Sequence, residues 1–426
     1  MMLLVIFVGL LLVLFLIGVA VPYALGITAI VGMLYSGSFG VTEMGTVAMK
    51  MATGVNSFTL LAIPFFLLAG KLMNVGSITQ RIFNFCNALV GWIPGGLGQV
   101  NILASVVFAG MSGSAVADAA GLGTIEIKAM KDEGFDTEFS AGITAAASTI
   151  GPIIPPSIPL IMFGCAGGVS ISSLLVGGIV PGVTCAICLG IMVAIMAIRR
   201  KYPRRGFPSV KELWGLFKHS FLALLTPVIL IGGILGGIFT ATEAAAVASL
   251  YALILTGLIY REISLQDMIR TGLEVCRETA AIMLVVAAST IYGYMLTKFM
   301  IPTMVLDFFL SISVNKYVFL LLVNVFLLFV GCFMESNAAI LILTPILLPA
   351  ATAFGIDPVH FGLIMVFNLM IGLLTPPVGM CLYATARVAK LSFEGTIRGV
   401  APFYVPLAIT LIAITMIPQL TLCLVS

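Results

Sequence analysis

The sequence predicts an all-α polytopic membrane protein made of inverted-topology repeats, with two re-entrant helical hairpins and two discontinuous helices, the elevator-type arrangement of ion transporters. Three observations carry this expectation. Of 426 residues, 61% are hydrophobic and 9% charged, with a mean hydropathy of +1.22. Soluble domains carry about 25% charged residues, so apolar faces here must stay against a lipid bilayer. The 44 Gly and 20 Pro imply closely approaching and often broken helices. The third observation is a self-similarity at one fixed register, described below. Together with a net charge of only +3, the composition excludes a soluble enzyme, a disordered scaffold and a nucleic-acid-binding surface.

Apolar runs near the ~20 residues needed to cross a bilayer lie at 3–36 (two spans meeting at Pro22), 56–75, 173–198, 219–240, 243–260, 276–297 and 400–424. The first run is too long, and too poor in basic residues before Lys50, to be a removable signal peptide. Seven of the 20 basic residues (Arg199, Arg200, Lys201, Arg204, Arg205, Lys211 and Lys218) crowd into one stretch. By the positive-inside rule, 199–218 reads as a basic cytoplasmic linker. It divides the chain into a first inverted repeat, 1–198, and a second, 219–426.

Each half contains one run with a polar middle and one interrupted by Gly and Pro. The expected re-entrant hairpins are about 98–129 and 317–353; the expected broken helices are about 140–170 and 358–389. The halves match without gaps at an offset of 221 (376 − 155), which pairs Pro155-Pro156 with Pro376-Pro377. The same register pairs Phe108 with Phe329, Gly110 with Gly331, Gly151 with Gly372, Gly178 with Gly399 and Pro181 with Pro402. Placing Arg261, Arg270, Arg277, Arg387, Lys390 and Arg398 on the side of the linker makes the hairpins enter from opposite faces. Irregular backbone at membrane depth survives only where protein or a wet cavity covers it. A carrier with a midplane site therefore follows.

The first hairpin tip reads FAGMSGSAVAD from Phe108 to Asp118, and the first break GPIIPPS from Gly151 to Ser157. Their counterparts are Glu335-Ser336-Asn337 and GLLTPPVG from Gly372 to Gly379. Adjacent prolines free backbone carbonyls, and hard oxygens without Cys or His suit an alkali cation. Half-helix N-termini after each break favour an anionic substrate. Small-residue runs such as Gly110 to Gly113 also serve tight helix contact.

Glu335, inside a run as apolar as 320–334, would cost about 2.5–3.5 kcal/mol at mid-bilayer. That favours a substrate or ion contact over a helix cap. Ser157 is a candidate hydroxyl donor to substrate. Lys298 either attracts a substrate carboxylate or snorkels to the interface. Asp118 and Glu243 read as helix caps. Cys185 and Cys188 form a CxxC inside an apolar span and read as packing residues. His219 and His360 stand alone, and no nucleotide-binding or hydrolase motif appears, so no enzyme activity and no cofactor beyond coupling ions is expected. An ion channel built from paired re-entrant loops is the alternative.

Five ordered motifs (GMSGSAVAD, GPIIPPS, TATEAA at 240–245, ESNAAILILTPILLP at 335–349 and GLLTPPVG) resemble the large membrane subunit of tripartite ATP-independent periplasmic (TRAP) transporters. The resemblance spans nearly the whole chain. It implies a sodium-coupled symporter in the bacterial inner membrane, importing an organic acid such as sialic acid or a four-carbon dicarboxylate. It also implies two partners, a small membrane subunit and a soluble periplasmic substrate-binding protein. By the same resemblance, Ser112, Gly113, Ser114, Gly151 and Ile154 would line one sodium site, and Asn337, Gly372 and Thr375 its pseudo-symmetric partner. Glu335, Ser336, Ser157 and Lys298 are the substrate-binding candidates.

Overall fold

The computed structural model describes residues 5–37, 40–74, 78–312 and 315–425. The start of the expected 3–36 run and the end of the 56–75 run lie outside them. No strand occurs among the described residues.

The described residues open with a π-helical turn over Val5–Leu10, followed by α1 (Leu11–Leu16) and α2 (Val21–Tyr35). Pro22 lies in the first turn of α2 rather than interrupting a span, because its missing N–H is harmless there; the break falls at Gly18, whose φ is +86°. Next come α3 (Val41–Val55), α4 (Ala62–Asn74) and α5 (Ile78–Val90). The sequence reading passed over α3 and α5. Glu43, Lys50, Gln80, Arg81 and Asn84 dilute their hydropathy, although each buries an apolar side against its neighbours. The segment Glu43–Val55 meets Phe58–Asn74 at a 52° bend.

The first hairpin is α6 (Leu97–Ser112), α7 (Ala115–Ala120) and α8 (Leu122–Asp132). The first broken helix is α9 (Thr137–Ser148) and α10 (Ile158–Gly167), followed by α11 (Ile171–Gly177) and α12 (Ile179–Arg200). The basic stretch is linker only between Lys201 and Ser209. Arg199 and Arg200 end α12, and Lys211 and Lys218 ride on α13 (Val210–Leu235), whose first turn is capped by the Ser209 hydroxyl.

Next are α14 (Ala241–Ile254), continued as a π-helical turn over Leu255–Ile259, and α15 (Leu265–Lys298). The helix α15 starts eleven residues before the expected 276 (276 − 265) because Ser264 and Asp267 form a capping box ahead of the apolar run. A short α16 (Ile301–Ile312) precedes the second hairpin, α17 (Lys316–Gly331) and α18 (Ser336–Ala353). The second broken helix is α19 (Pro358–Gly372) and α20 (Met380–Ala389), then come α21 (Phe393–Val400) and α22 (Tyr404–Met416). The two broken helices begin 221 residues apart (358 − 137), the offset that the prolines gave.

Lipid-facing and interior helices separate cleanly. On α12, Val183, Ile187, Ile191 and Ile195 form an exposed stripe at i+4 spacing, as Leu321, Val325 and Phe329 do on α17. By length and composition, six helices among the described residues can cross a membrane, or eight if each of two bent pairs is one span. The most apolar window of Ile171–Arg200 is 33% buried within the protein, whereas that of Ser336–Ala353 is 72% buried; the return arm of hairpin 2 is therefore interior rather than lipid-facing. The scaffold helices α2, α3 and α4 lie against α15, while α9 crosses α21 and α17 crosses α19.

Glycine sets those crossings. A Cβ on Gly142 of α9 would lie 2.1 Å from the Gly399 carbonyl oxygen of α21, and one on Gly399 would lie 2.0 Å from the Glu138 carbonyl oxygen. The repeats thus interlock through bare backbone.

Candidate functional site

Each hairpin tip is seated on the break of its own repeat. Gly113 turns the first tip with φ +59°, and a Cβ there would lie 2.7 Å from the Pro156 carbonyl oxygen. Glycine is thus required twice over, by the left-handed conformation and by the close approach. In the second repeat Gly331 and Gly372, the register partners of Gly110 and Gly151, touch one another: a Cβ on Gly372 would lie 2.5 Å from the Gly331 Cα. The Val378 N–H donates to the Cys332 carbonyl at 3.3 Å, joining tip and break. Both Pro-Pro bonds are cis.

The two assemblies meet at one cavity of about 360 Å³. Its walls include Gly113 and Ser114 from the first tip, Pro152 and Ile158 from the first break, Glu335 to Asn337 from the second tip, and Leu373 from the second break. The scaffold closes it with Leu67 of α4 and with Glu278, Ala281, Ile282 and Val285 of α15.

The expected site residues divide by what they touch. Ser114 caps α7, accepting from the Ala117 N–H at 3.4 Å. The backbone of Ser112 ends α6, and its side chain lies outside the described residues. The Asn337 Oδ1 is buried and has no hydrogen-bond partner, an acceptor left open. Ser336 is buried and donates to the Glu335 carboxylate at 3.4 Å. Glu335 performs both roles weighed in the sequence: it lines the cavity and caps α18 through the Ala338 N–H at 3.0 Å.

Gly151, Ile154, Gly372 and Thr375 stand behind the cavity wall. Gly151 leaves room for the Asp118 carboxylate, which a Cβ would approach to 2.4 Å. Ile154 packs against Gly182. The Thr375 N–H donates to the Gly372 carbonyl, and its hydroxyl donates to the Ile371 carbonyl at 2.9 Å.

Two substrate candidates and one cap need correction. Ser157 is fully buried: its hydroxyl donates to the Pro152 carbonyl and accepts from the Leu160 N–H, so it closes the turn into α10 instead of facing the cavity. Lys298 ends α15, about 30 Å along the helix from Glu278, and sits 3.8 Å from Glu43; it is absent from the cavity wall. Asp118 lies within α7, whose cap is Ser114, and its buried carboxylate rests on the first break. Glu243, by contrast, completes a capping box with Thr240. His360 is structural, its Nδ1 2.7 Å from the Thr421 hydroxyl.

Sequence reasoning missed three charged residues. Lys71 and Glu278 face each other at the scaffold wall, 2.8 Å apart. Each falls inside a run expected to cross the bilayer, 56–75 and 276–297, with no motif around it. Glu126 of α8 is 1% exposed and has an Oε1 without a hydrogen-bond partner. Its signal was a carboxylate near the end of the segment 98–129 expected to form the first hairpin.

The model of the family described as "Tripartite ATP-independent periplasmic transporter, DctM component" matches residues 8–420. The chain belongs to this family. Among similar TRAP transporter proteins is the sialic acid TRAP transporter large permease protein SiaM of Vibrio cholerae, 47% identical over 96% of this chain and 95% of that protein. The C4-dicarboxylate TRAP transporter large permease protein DctM of Pseudomonas aeruginosa is 39% identical over 91% of this chain and 90% of its own length. The crystal structure of the Alcanivorax borkumensis YdaH transporter, noted for an unusual topology, superposes with a TM-score of 0.63 over 89% of each chain at 13% identity. At that identity the likeness speaks for the fold alone. As a TRAP large permease, the chain is a multi-pass membrane transport subunit and not an enzyme.

Proposed function

We propose that this permease is the sodium-coupled transport subunit of a TRAP system in the bacterial inner membrane. It imports an organic acid, handed over by a periplasmic binding protein, and works beside a small membrane subunit. The observation that carries the reading is the convergence of both tips and both breaks on one cavity whose wall holds the unpaired Asn337 Oδ1. An open amide acceptor beside hydroxyls and backbone carbonyls suits an alkali cation. The cavity wall also includes Ile158 and Ser336, the first residues of α10 and α18, and helix N-termini attract anions. The relatives' substrates, sialic acid and C4-dicarboxylates, are both carboxylates.

Movement of the two hairpin–break assemblies against α4 and α15 would turn the cavity from one face to the other. The partners and the transporter, reconstituted in proteoliposomes, test the reading: uptake of sialic acid or succinate should require an inward sodium gradient. Uptake equally fast without sodium removes the coupling. Ser114→Ala and Asn337→Ala should each raise the sodium concentration for half-maximal uptake several-fold, at unchanged protein abundance.

A further inference from the structure

The cavity has a scaffold side that the transport reading leaves without a task. On α15, Glu278, Ala281, Ile282 and Val285 share one helical face and line it. The Glu278 carboxylate is 2.8 Å from the Lys71 ammonium of α4, and Glu274, one turn earlier, is 3.2 Å from the same nitrogen. Arg270 in turn holds Glu274 at 3.3 Å. The Lys71 side chain is 25% exposed and the two glutamates 44% and 50%, so the cation is tucked behind carboxylates that stand in the open.

Charge in the cavity is unbalanced. Glu335 comes from the second tip and Glu278 from the scaffold, and among the described residues no basic side chain lines the cavity. A bound organic anion between two carboxylates about 5 Å away would meet repulsion of about 3 kcal/mol from each at an effective dielectric of 20. The cation in reach is Lys71, bonded to the Glu278 that lines the cavity. Its place along the path follows from topology. The antiparallel pair α13 and α14 crosses out and back, so α15 starts on the side of the basic segment 201–209, and Glu278 stands about 20 Å along it. That is near the middle of the 34-residue helix, so the Lys71–Glu278 pair stands at the level of the cavity rather than at either end of α15.

We propose that Lys71, held by Glu274 and Glu278, is a charge-selecting residue on the scaffold: the substrate carboxylate displaces Glu278 from Lys71 as it passes through the cavity. This rests on the reading of the chain as an organic-acid transporter. The glutamates act as competing anions that set how readily the substrate leaves. Losing the cation weakens the acid's hold, and losing one competitor strengthens it. A purely structural ion pair has the opposite signature, since breaking it from either end does the same damage.

The test uses the complete reconstituted transporter with sialic acid and succinate as probes, each beside its methyl ester. Lys71→Met should raise KM for the accepted acid at least fivefold with a smaller change in the maximal rate, and should reduce the preference for acid over ester. Lys71→Arg should restore both. Glu278→Gln, which leaves Lys71 tied to Glu274 and so guards against misfolding, should lower KM and slow turnover. Changes of KM in the same direction for Lys71→Met and Glu278→Gln, or an unchanged acid preference in Lys71→Met, overturn the proposal while leaving organic-acid transport intact. A wild-type transporter that takes up neither acid overturns the transport reading and this inference with it.

Discussion

At the residue scale, the site is set by what each polar group can still accept. Ser114, Ser157 and Glu335 all sit at helix starts and donate acceptor capacity to backbone N–H groups, whereas the Asn337 Oδ1 does not. That open acceptor makes Asn337 the side chain whose loss should fall hardest on sodium dependence, ahead of Ser114. Glu126 presents the reverse problem. Among the described residues no ion pair reaches it, and burying an unpaired carboxylate is costly. Glu126→Gln keeps the shape and removes that cost, so the melting temperature in detergent should hold or rise. Glu126→Ala leaves a void and should lower it by several degrees. A fall of equal size in both variants would mean that the carboxylate itself holds the fold.

At the element scale, glycine contacts and one surface cluster fix how helices meet. The backbone contact of Gly142 with Gly399 has no room for a methyl group, so Gly142→Ala and Gly399→Ala must push α9 and α21 apart. Overpacking of this kind costs about 1–3 kcal/mol; thermal unfolding should register it, and the same change at Gly26, where a Cβ meets nothing within 4 Å, should not. On the basic face, Asp136 before α9 accepts from Tyr202 and from Arg200 at 2.8 Å, tying the start of the first broken helix to the end of α12. The Tyr202 hydroxyl, then Arg200, hold the Asp136 carboxyl below its ordinary 3.8, while burial pushes Tyr202 up to about 12. A depressed carboxyl stabilises the fold above its ordinary value, and the contribution fades as pH falls below it. The cluster is exposed, so after solvent screening it contributes under about 1 kcal/mol. Asp136→Asn should lower the melting temperature slightly at pH 7 and flatten its fall between pH 5 and 3, where the wild-type contribution is lost.

At the scale of the whole molecule, the cavity lies between two bodies, the paired hairpin–break assemblies and the scaffold of α4 and α15. Leu67 and Val116 line it from opposite bodies. In a background freed of the eight native cysteines, Leu67→Cys with Val116→Cys joined by a short bismaleimide should abolish uptake, and either single variant treated alike should not. Persistent uptake by the crosslinked protein would show that these bodies do not move past one another. The duplication extends to buried polar pairs. In each repeat the outer arm of the hairpin bonds the first half of its broken helix, Asn101 to Thr144 at 2.7 Å and Asn368 to Asn324 at 2.7 Å. The environments are not copies: Phe108 is 1% exposed and its register partner Phe329 62%, so one copy of the hairpin arm faces protein where the other faces lipid.

The sequence by itself determined the solvent, the duplication and the places where helices break, because hydropathy, Gly and Pro act through local backbone chemistry that the chain carries wherever it goes. It also marked the two tips, since small and polar residues inside apolar runs have few uses at membrane depth. Only the tertiary structure decided which of those groups keep a free face. Ser157 and Lys298 qualified by residue type, yet the first is spent on the turn between Pro152 and Leu160 and the second sits at the far end of a 34-residue helix. Lys71 and Glu278 lie 207 positions apart in the chain (278 − 71) on amphipathic helices, and nothing local marks one as the other's partner; the packing of α4 against α15 does.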